Sequence, residues 1–409
     1  MDIGTRVAER IEWEARRDAP PADFPALPEI PGGRYTRDDF FAAEQAHVWR
    51  KAWVPAGRTE DLKEPGSYRM FEKLGVPIIL VRGRDGILRG FYNTCRHRGA
   101  PVVREEQGRT TLLRCQYHSW SYGLDGKLIG VPDERDFACL NKADRGLLEV
   151  ACAEWGGLAF INLDKDASPL AEHLGPLVDE LACVGMDGLR TVHIERYVVD
   201  CNWKAAMDAF LEVYHINTIH PTNAGIMLDS KAAAMGLMPG GHSRMATRKN
   251  MNKGINFVEF EGAPDIPSMP DLYRLNNTAY CVFPNLITPV EPTGFPLIFF
   301  WPRGRGQTEI EAVYVAPDWG DAPRPAFWDT FLGIFHDVML EDMQNLAPIQ
   351  KSLDSEAFTG MMINYQERRI YWFHEEIDRR LGAENIPEGL AVKQVLEGFV
   401  EEPLAMAAE

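Results

Sequence analysis

Two short cysteine–histidine pairs are the residues of this chain best suited to bind metal. The first is Cys95-Arg96-His97, and after 17 intervening residues it is followed by Cys115-Gln116-Tyr117-His118. Thiolate sulfur and imidazole nitrogen are the donors that proteins use for structural zinc and for some iron–sulfur clusters. A zinc site is one interpretation, although zinc ligands in such pairs usually have two or more residues between them.

The one-residue gap between Cys95 and His97 is better suited to a pair of hairpin tips. If each tip presents one thiolate and one imidazole, the four donors match a Rieske-type [2Fe–2S] cluster, in which histidines replace cysteines on one iron. We therefore predict that Cys95 and Cys115 hold one iron, and that His97 and His118 hold the other.

A second group of possible ligands lies around His215 and His220, which are five residues apart. On a continuous helix they would be rotated by about 140° from one another and would not share a face. Pro221 disfavours helical geometry at His220, so the helix should end there and the imidazoles can converge. Glu212, three residues before His215, shares its face on a helix. In a chain with ten histidines, a chance pair is the alternative.

Two histidines need a carboxylate to complete the facial triad that leaves positions open for O2 on non-haem Fe(II). The downstream segment FHDVMLEDMQNLAPIQKSL has helical periodicity and carries Asp337, Glu341 and Asp342. Periodicity alone does not choose among these three acids.

The rest of the chain predicts the elements that position both sites. Residues 53–165 alternate short apolar stretches with turns such as Asp85-Gly86 and Asp125-Gly126, which is typical of an all-β unit. The second half predicts an α+β unit with an antiparallel sheet and separate helices. Its predicted helices are residues 203–219, 325–352 and 365–381, and its predicted strands lie within 278–316. Five methionines in residues 227–251 suggest a mobile lid.

Composition limits the partners and the cellular location that we expect for this protein. The chain has 409 residues and a net charge of −17, which argues against nucleic acid as a partner. No apolar run is long enough to cross a membrane, and the first 20 residues lack an apolar signal core. Seven cysteines, an odd number, suit a reducing compartment. The expected location is the cytoplasm.

Together the two motifs resemble those of the Rieske non-haem iron aromatic-ring-hydroxylating oxygenases, α (oxygenase) subunit, over residues from about 40 to 365. The resemblance implies an α+β fold, with an all-β Rieske [2Fe–2S] domain and a helix-grip catalytic domain. The expected limits are 1–44 for an N-terminal arm and helix packing on the catalytic domain, 45–165 for the Rieske domain and 166–409 for the mononuclear iron domain.

The residues carry over one by one. Cys95, His97, Cys115 and His118 match the cluster ligands, and His215, His220 and Asp342 match the ligands of the mononuclear Fe(II). Glu212 matches the catalytic acid that bridges an iron-binding histidine to a cluster histidine of the neighbouring subunit. Two positions depart from the family pattern: Ser119 stands where glycine is usual after the second cluster histidine, and Asp208 stands where many members have asparagine.

The resemblance also implies the chemistry. O2 and two electrons from NAD(P)H, delivered by a separate ferredoxin or flavin reductase, would hydroxylate a small apolar substrate in a homo-oligomer, expected to be a trimer. Candidate substrate contacts are Met207, Phe210, Ile219 and Ile226. The substrate, and the choice between mono-oxygenation, dioxygenation and demethylation, stay open. An electron-transfer protein or a zinc protein would each explain one motif but not both.

Overall fold

The computed structural model describes residues 3–250 and 262–401. The chain forms two compact units, one of Trp49–His173 and one that combines Met1–Val48 with Leu174–Glu409. None of the described helices is long and apolar enough to cross a membrane.

The unit of residues 49–173 is built from antiparallel strands. They are Val54–Arg58 (β1), Ser67–Phe71 (β2), Ile78–Arg82 (β3), Leu88–Tyr92 (β4), Gln107–Arg109 (β5), Leu113–Arg114 (β6), Ser121–Tyr122 (β7), Leu128–Gly130 (β8), Glu149–Trp155 (β9) and Leu158–Asn162 (β10). One sheet has the order β1-β10-β9-β4-β3-β2-β5, and a smaller one has the order β6-β7-β8. Gly86 and Gly126 adopt left-handed φ values of 79° in the two predicted hairpin turns, where glycine avoids the steric cost of a Cβ.

The other unit contains one seven-stranded antiparallel sheet. Its strands are Leu189–Val199 (β11), Leu228–Leu237 (β12), Ser243–Lys249 (β13), Asn276–Val282 (β14), Leu286–Val290 (β15), Phe295–Gly304 (β16) and Gln307–Pro317 (β17). Their order is β11-β17-β16-β15-β14-β13-β12. The prediction of an all-β unit followed by an α+β unit is therefore confirmed.

Most of the helices come before or after the strands of this second seven-stranded sheet in the chain. In chain order they are Ile3–Arg16 (α1), Gly33–Thr36 (α2), Asp38–Glu44 (α3), Leu170–Leu174 (α4), Leu177–Glu180 (α5), Trp203–Asp208 (α6), Ile216–Ile219 (α7), Ala224–Met227 (α8), Asp271–Leu275 (α9), Phe327–Leu353 (α10) and Arg368–Leu381 (α11). The last two match the predicted helices 325–352 and 365–381 closely.

Two sequence-based expectations were wrong. The helix predicted over 203–219 is two short helices, α6 and α7, because the Glu212 side chain accepts hydrogen bonds from the backbone N–H groups of Tyr214 and His215 and so competes with helical bonding. The methionine-rich lid is instead the hairpin β12–β13 of the sheet. Residue 251 lies outside the described residues.

Candidate metal centres

The two cysteine–histidine loops share one backbone design. In each loop the cysteine N–H donates to the carbonyl of the residue five positions later, over 2.9 Å. The residue four positions after the cysteine, Gly99 or Ser119, donates its N–H to the cysteine carbonyl, also over 2.9 Å. Both of these residues are left-handed, with φ of 77° at Gly99 and 58° at Ser119. Cys95 and Cys115 are therefore held at equivalent positions of two equivalent turns.

The side chains at these tips are arranged with the thiols inside and the imidazoles outside. Cys95 and Cys115 are buried, and the Cys95 sulfur lies 3.3 Å from the Tyr122 hydroxyl. The rings of His97 and His118 are half-buried and lie 4.7 Å apart between centroids. Burial raises the pKa of the Cys95 thiol, an effect that a bound cation would oppose by favouring the thiolate.

The distances among the four donor atoms distinguish a site for one metal ion from a site for a two-iron cluster. Among the described residues, the only group of three or more histidine, cysteine or acidic donors with ligand atoms within 4.8 Å of one another is His215, His220 and Asp342. The four loop donors therefore do not converge on one point, as the ligands of a tetrahedral zinc ion must. Two thiols and two imidazoles at separate positions fit a [2Fe–2S] cluster with histidines on one iron.

The second centre brings together residues from two distant parts of the chain. His215 and His220 flank α7, while Asp342 comes from the middle of α10. The Asp342 carboxylate lies 3.1 Å from Nε2 of His220 and 3.5 Å from Nε2 of His215. The helix ends at His220, as Pro221 predicted. Two imidazoles and one carboxylate around a common point fit the facial triad of non-haem iron.

Each of these histidines has a second carboxylate on its other ring nitrogen. Glu212 contacts Nδ1 of His215, and Glu341 lies 2.7 Å from Nδ1 of His220. Such partners fix the ring and its tautomer, leaving Nε2 unprotonated to bind metal. Burial acts to lower the pKa of both imidazoles, but the neighbouring carboxylates outweigh it and the pKa of each is raised.

The three acids of α10 thus have three different environments. Asp342 is buried at the centre of the triad, and Glu341 holds both His220 and Asn223. Asp337 is exposed. No sequence pattern indicated the role of Glu341, because its partner is 121 residues away.

A cavity of about 200 Å³ adjoins the triad. One wall is a single face of α10, at positions i, i+3, i+4, i+7, i+8 and i+11: Phe331, Ile334, Phe335, Val338, Met339 and Asp342. The opposite wall is formed by side chains of β13–β16. Among the four expected substrate contacts, Phe210 lines the cavity. Met207, Ile219 and Ile226 are not among its described lining residues.

The cavity has a polar corner that the sequence did not indicate. Lys249 Nζ lies 2.5 Å from a carboxylate oxygen of Glu291, and the Asn277 amide donates to the other oxygen over 3.0 Å. All three residues line the cavity. We call Lys249, Asn277 and Glu291 the polar corner.

Asp208, at the position where the family often has asparagine, lies in a buried network. Its carboxylate accepts a hydrogen bond of 2.7 Å from the Tyr35 hydroxyl, which also lies 2.9 Å from His374. Burial raises the pKa of Asp208 to about 7, with the Tyr35 hydrogen bond and Lys204 acting in the opposite direction. Asp208 is not among the described residues that line the cavity.

Comparison with known proteins agrees with both units. Residues 52–142 match the family described as Rieske [2Fe-2S] domain, and residues 186–383 match the family described as ring hydroxylating alpha subunit (catalytic domain). The chain belongs to the Rieske ring-hydroxylating oxygenase family, and its relatives there are alpha subunits. The expected cofactors, a [2Fe–2S] cluster and a mononuclear iron with O2 as co-substrate, are those of this family.

Individual relatives are named for different substrates. Chlorobenzene dioxygenase subunit alpha of Cupriavidus sp. (strain PS12) is 32% identical over 51% of this chain and 48% of its own. The carnitine monooxygenase oxygenase subunit of Escherichia coli (strain K12) is also 32% identical, over 49% and 55%. The matched stretch therefore spans about half the length of these relatives. A crystal structure of a quaternary ammonium Rieske monooxygenase shares the fold, with a TM-score of 0.76, 20% identity, and coverage of 89% of this chain and 99% of that one.

Proposed function

We propose that this chain is the terminal oxygenase component of a Rieske oxygenase system that hydroxylates an apolar, aromatic or polycyclic substrate. Mono-oxygenation would consume the substrate, O2, two electrons and two protons, and would yield the hydroxylated product and water. Dihydroxylation would place both oxygen atoms on the substrate. The observation that carries the proposal is the triad of His215, His220 and Asp342 at one end of an apolar cavity, in a chain that also has the Rieske loops.

The proposed residue roles follow from the contacts. Cys95 and Cys115 would hold one cluster iron and His97 and His118 the other, while His215, His220 and Asp342 would hold the mononuclear iron. When bound, the cluster supplies one-electron transfer and the mononuclear iron supplies the open positions at which O2 reacts. Glu212 and Glu341 orient the two imidazoles through Nδ1.

The cavity favours an uncharged, apolar substrate. Its walls carry Phe331, Phe335 and aliphatic side chains, and the one lysine among the described lining residues is already paired with Glu291. A zwitterion such as carnitine would leave both of its charges without compensation there, at a cost of several kcal/mol. An aromatic or alicyclic ring loses little on entering such a cavity and gains about 25 cal/mol for each Å² of apolar surface buried.

The proposed partners are a ferredoxin, a flavin reductase or both, which would pass electrons from NAD(P)H one at a time. The proposed assembly is a homo-oligomer, a trimer by family resemblance, acting in the cytoplasm. A nucleic acid or a membrane has no place in this scheme.

Metal analysis of variants tests the proposal. The purified protein should contain three irons per chain and no zinc, and the reduced protein should give the EPR spectrum of a Rieske cluster. Cys115→Ser should lose the two cluster irons and keep one, whereas His220→Ala should keep two and lose one. An electron-transfer protein would hold only two irons, and a zinc protein none. Consumption of O2 that depends on NADH, an added partner reductase and an aromatic substrate completes the test.

A further inference from the structure

The polar corner lies next to apolar walls of the cavity. Burying a charged pair beside a ligand site is costly unless the ligand or the protein satisfies its hydrogen bonds. Lys249 and Glu291 are nevertheless both largely buried, with 16% and 11% of their side chains exposed. Because both residues line the cavity, a ligand bound there would contact them.

The polar corner lies at the far end of the cavity from the triad. Along α10, Asp342 is eleven residues from Phe331, which is about 16 Å of helix. The beginning of α10 lies against the turn that contains Glu291, because a Cβ at Gly294 would come within 2.8 Å of the Trp328 indole. The Glu291 carbonyl accepts the Gly294 N–H over 3.1 Å in the same turn.

The sheet gives the same distance independently. Phe210, which lines the cavity near the triad, packs edge-on against Phe300 of β16 with 5.2 Å between centroids. Phe295, at the other end of β16, adjoins the turn that contains Glu291. Phe300 is five residues after Phe295, which corresponds to about 16 Å of strand. A ligand that reaches both ends is therefore elongated.

The hydrogen-bonding capacity of the polar corner indicates which group fits there. Lys249 Nζ is used by the protein, since it contacts Glu291 and the carbonyls of Tyr273 at 3.0 Å and Arg274 at 3.4 Å. Glu291 accepts one bond on each carboxylate oxygen, from Lys249 and from Asn277, and each oxygen can accept another. The pair has no net charge. Its complement is a neutral group that donates a hydrogen bond.

We infer that the substrate is a neutral, elongated ring compound that carries a hydroxyl, or an equivalent N–H donor, at the end remote from the position attacked. Glu291 accepts the hydrogen bond of that group, and the apolar walls hold the rings. This inference rests on the proposed function and adds a substrate class to it. A ligand carboxylate would meet the Glu291 carboxylate, and an unsubstituted hydrocarbon would leave the remaining acceptor positions of Glu291 desolvated and unfilled.

Three compounds with the same two-ring skeleton test the inference: 4-hydroxybiphenyl, biphenyl and biphenyl-4-carboxylate. Their binding to the iron-loaded protein is measured by calorimetry, and their oxidation by O2 consumption. The cavity exceeds the roughly 150 Å³ that holds a single benzene, so a second ring is a reasonable probe. We expect 4-hydroxybiphenyl to bind on the order of tenfold more tightly than biphenyl, and the carboxylate more weakly than either.

Two variants separate hydrogen bonding from shape. Glu291→Gln leaves Lys249 without its counter-charge, so binding of biphenyl-4-carboxylate should rise on the order of tenfold while the preference for 4-hydroxybiphenyl falls. Ile298→Val, in the apolar middle of the same face, should weaken all three compounds by a similar factor of about four and keep their order.

The possible failures are distinguishable. Protein that does not hold three irons would overturn the proposed function, whatever it binds. Iron-loaded wild-type protein that binds biphenyl as tightly as 4-hydroxybiphenyl, prefers the carboxylate, or binds none of the three overturns only the substrate class.

Discussion

Asp208 shows how one substituted atom changes the charge of a buried network. Its neighbours already form ion pairs: Glu44 with Lys204 at 2.9 Å, and Arg34 with Asp378 at 2.5 Å. A further buried negative charge has no cation of its own, so burial raises the pKa of Asp208 to about 7. A protonated aspartic acid is neutral, like the asparagine that many family members have at this position.

The raised pKa makes the stability of this unit depend on pH. The folded protein keeps the Asp208 proton between the ordinary pKa of 3.8 and about 7, where the unfolded chain has lost it, so stability falls as pH rises through that window. Asp208→Asn should therefore raise the unfolding temperature at pH 8 and change it little at pH 4, with a gain on the order of 2–4 kcal/mol. Thermal unfolding at both pH values measures this. A gain of equal size at both would contradict it, and the exposed Asp321→Asn is the control.

Ser119 carries a backbone cost that glycine would avoid. Its left-handed φ of 58° is disfavoured for residues with a Cβ by about 1–2 kcal/mol. We predict that Ser119→Gly raises the temperature at which the cluster absorption is lost. Gly99 gives the reverse experiment, since it has the same role, a φ of 77° and no atom within 4 Å of the place a Cβ would take. Gly99→Ser should lower that temperature by a similar amount; no change in either variant would show that the turns tolerate a side chain.

At the scale of elements, periodicity and turn residues predicted well, whereas competition between side chains and the backbone was not predicted. The ends of α10 and α11 and the two glycine hairpins follow from local periodicity and turn chemistry. The break between α6 and α7 does not, because the competing hydrogen bonds come from the side chain of Glu212. Two of the methionines predicted to form a lid, Met235 and Met245, are strand residues of the sheet, and methionine fills a core as readily as a mobile loop.

The close packing of α7 and α8 depends on one glycine. A Cβ at Gly225 would lie 2.7 Å from the carbonyl oxygen of His220 and 3.0 Å from that of Ile216, so backbone would have to move. We predict that Gly225→Ala displaces His220 and lowers mononuclear iron occupancy, while the two cluster irons are kept. Iron analysis together with cluster absorption measures both quantities.

Gly333 provides a matched control for that substitution. It lies on the exposed side of α10, with no atom within 4 Å of where a Cβ would be. Gly333→Ala should keep all three irons and stabilise the helix by up to about 1 kcal/mol. Equal iron loss in both variants would mean that the helices do not tolerate alanine in general.

At the scale of the whole molecule, Glu212 is the residue that we expect to link the site to an assembly. One carboxylate oxygen contacts His215 and can accept one more hydrogen bond, whereas the other already accepts two backbone N–H groups. We propose that a cluster histidine, His118, of a neighbouring subunit is that further partner. A fully active monomer, identified by light scattering, would contradict the proposal.

Glu212→Gln should therefore keep three irons and a reducible cluster, but lose most hydroxylation, on the order of 10- to 100-fold. Pre-reduced protein is mixed with O2 and substrate, and reoxidation of the cluster is followed by its absorbance. Reoxidation at the wild-type rate would rule out the bridge. Glu341→Gln is the matched control: it loosens His220 and lowers iron occupancy, but cluster reoxidation in the iron-loaded fraction should stay fast.

The metal ligands could be predicted from the sequence because most of them lie in two short segments. The substrate cavity could not, since it combines Phe210, strand residues from 245 to 298 and a face of α10. Lys249 and Glu291, which are 42 residues apart in the chain, meet only because β13 to β16 pair in one sheet. The cysteine and histidine candidates are thus recognisable from short segments, whereas the cavity depends on how distant segments fold together.

The residues of α10 that line the cavity lie at regular intervals along its length. Phe331, Phe335, Met339 and Asp342 lie about one turn apart, and each turn advances about 5.4 Å. A larger side chain at one of the first three positions would shorten the accessible length of the cavity and leave the triad residues unchanged. Single substitutions along this one helix would therefore be enough to adapt the cavity to shorter or longer substrates.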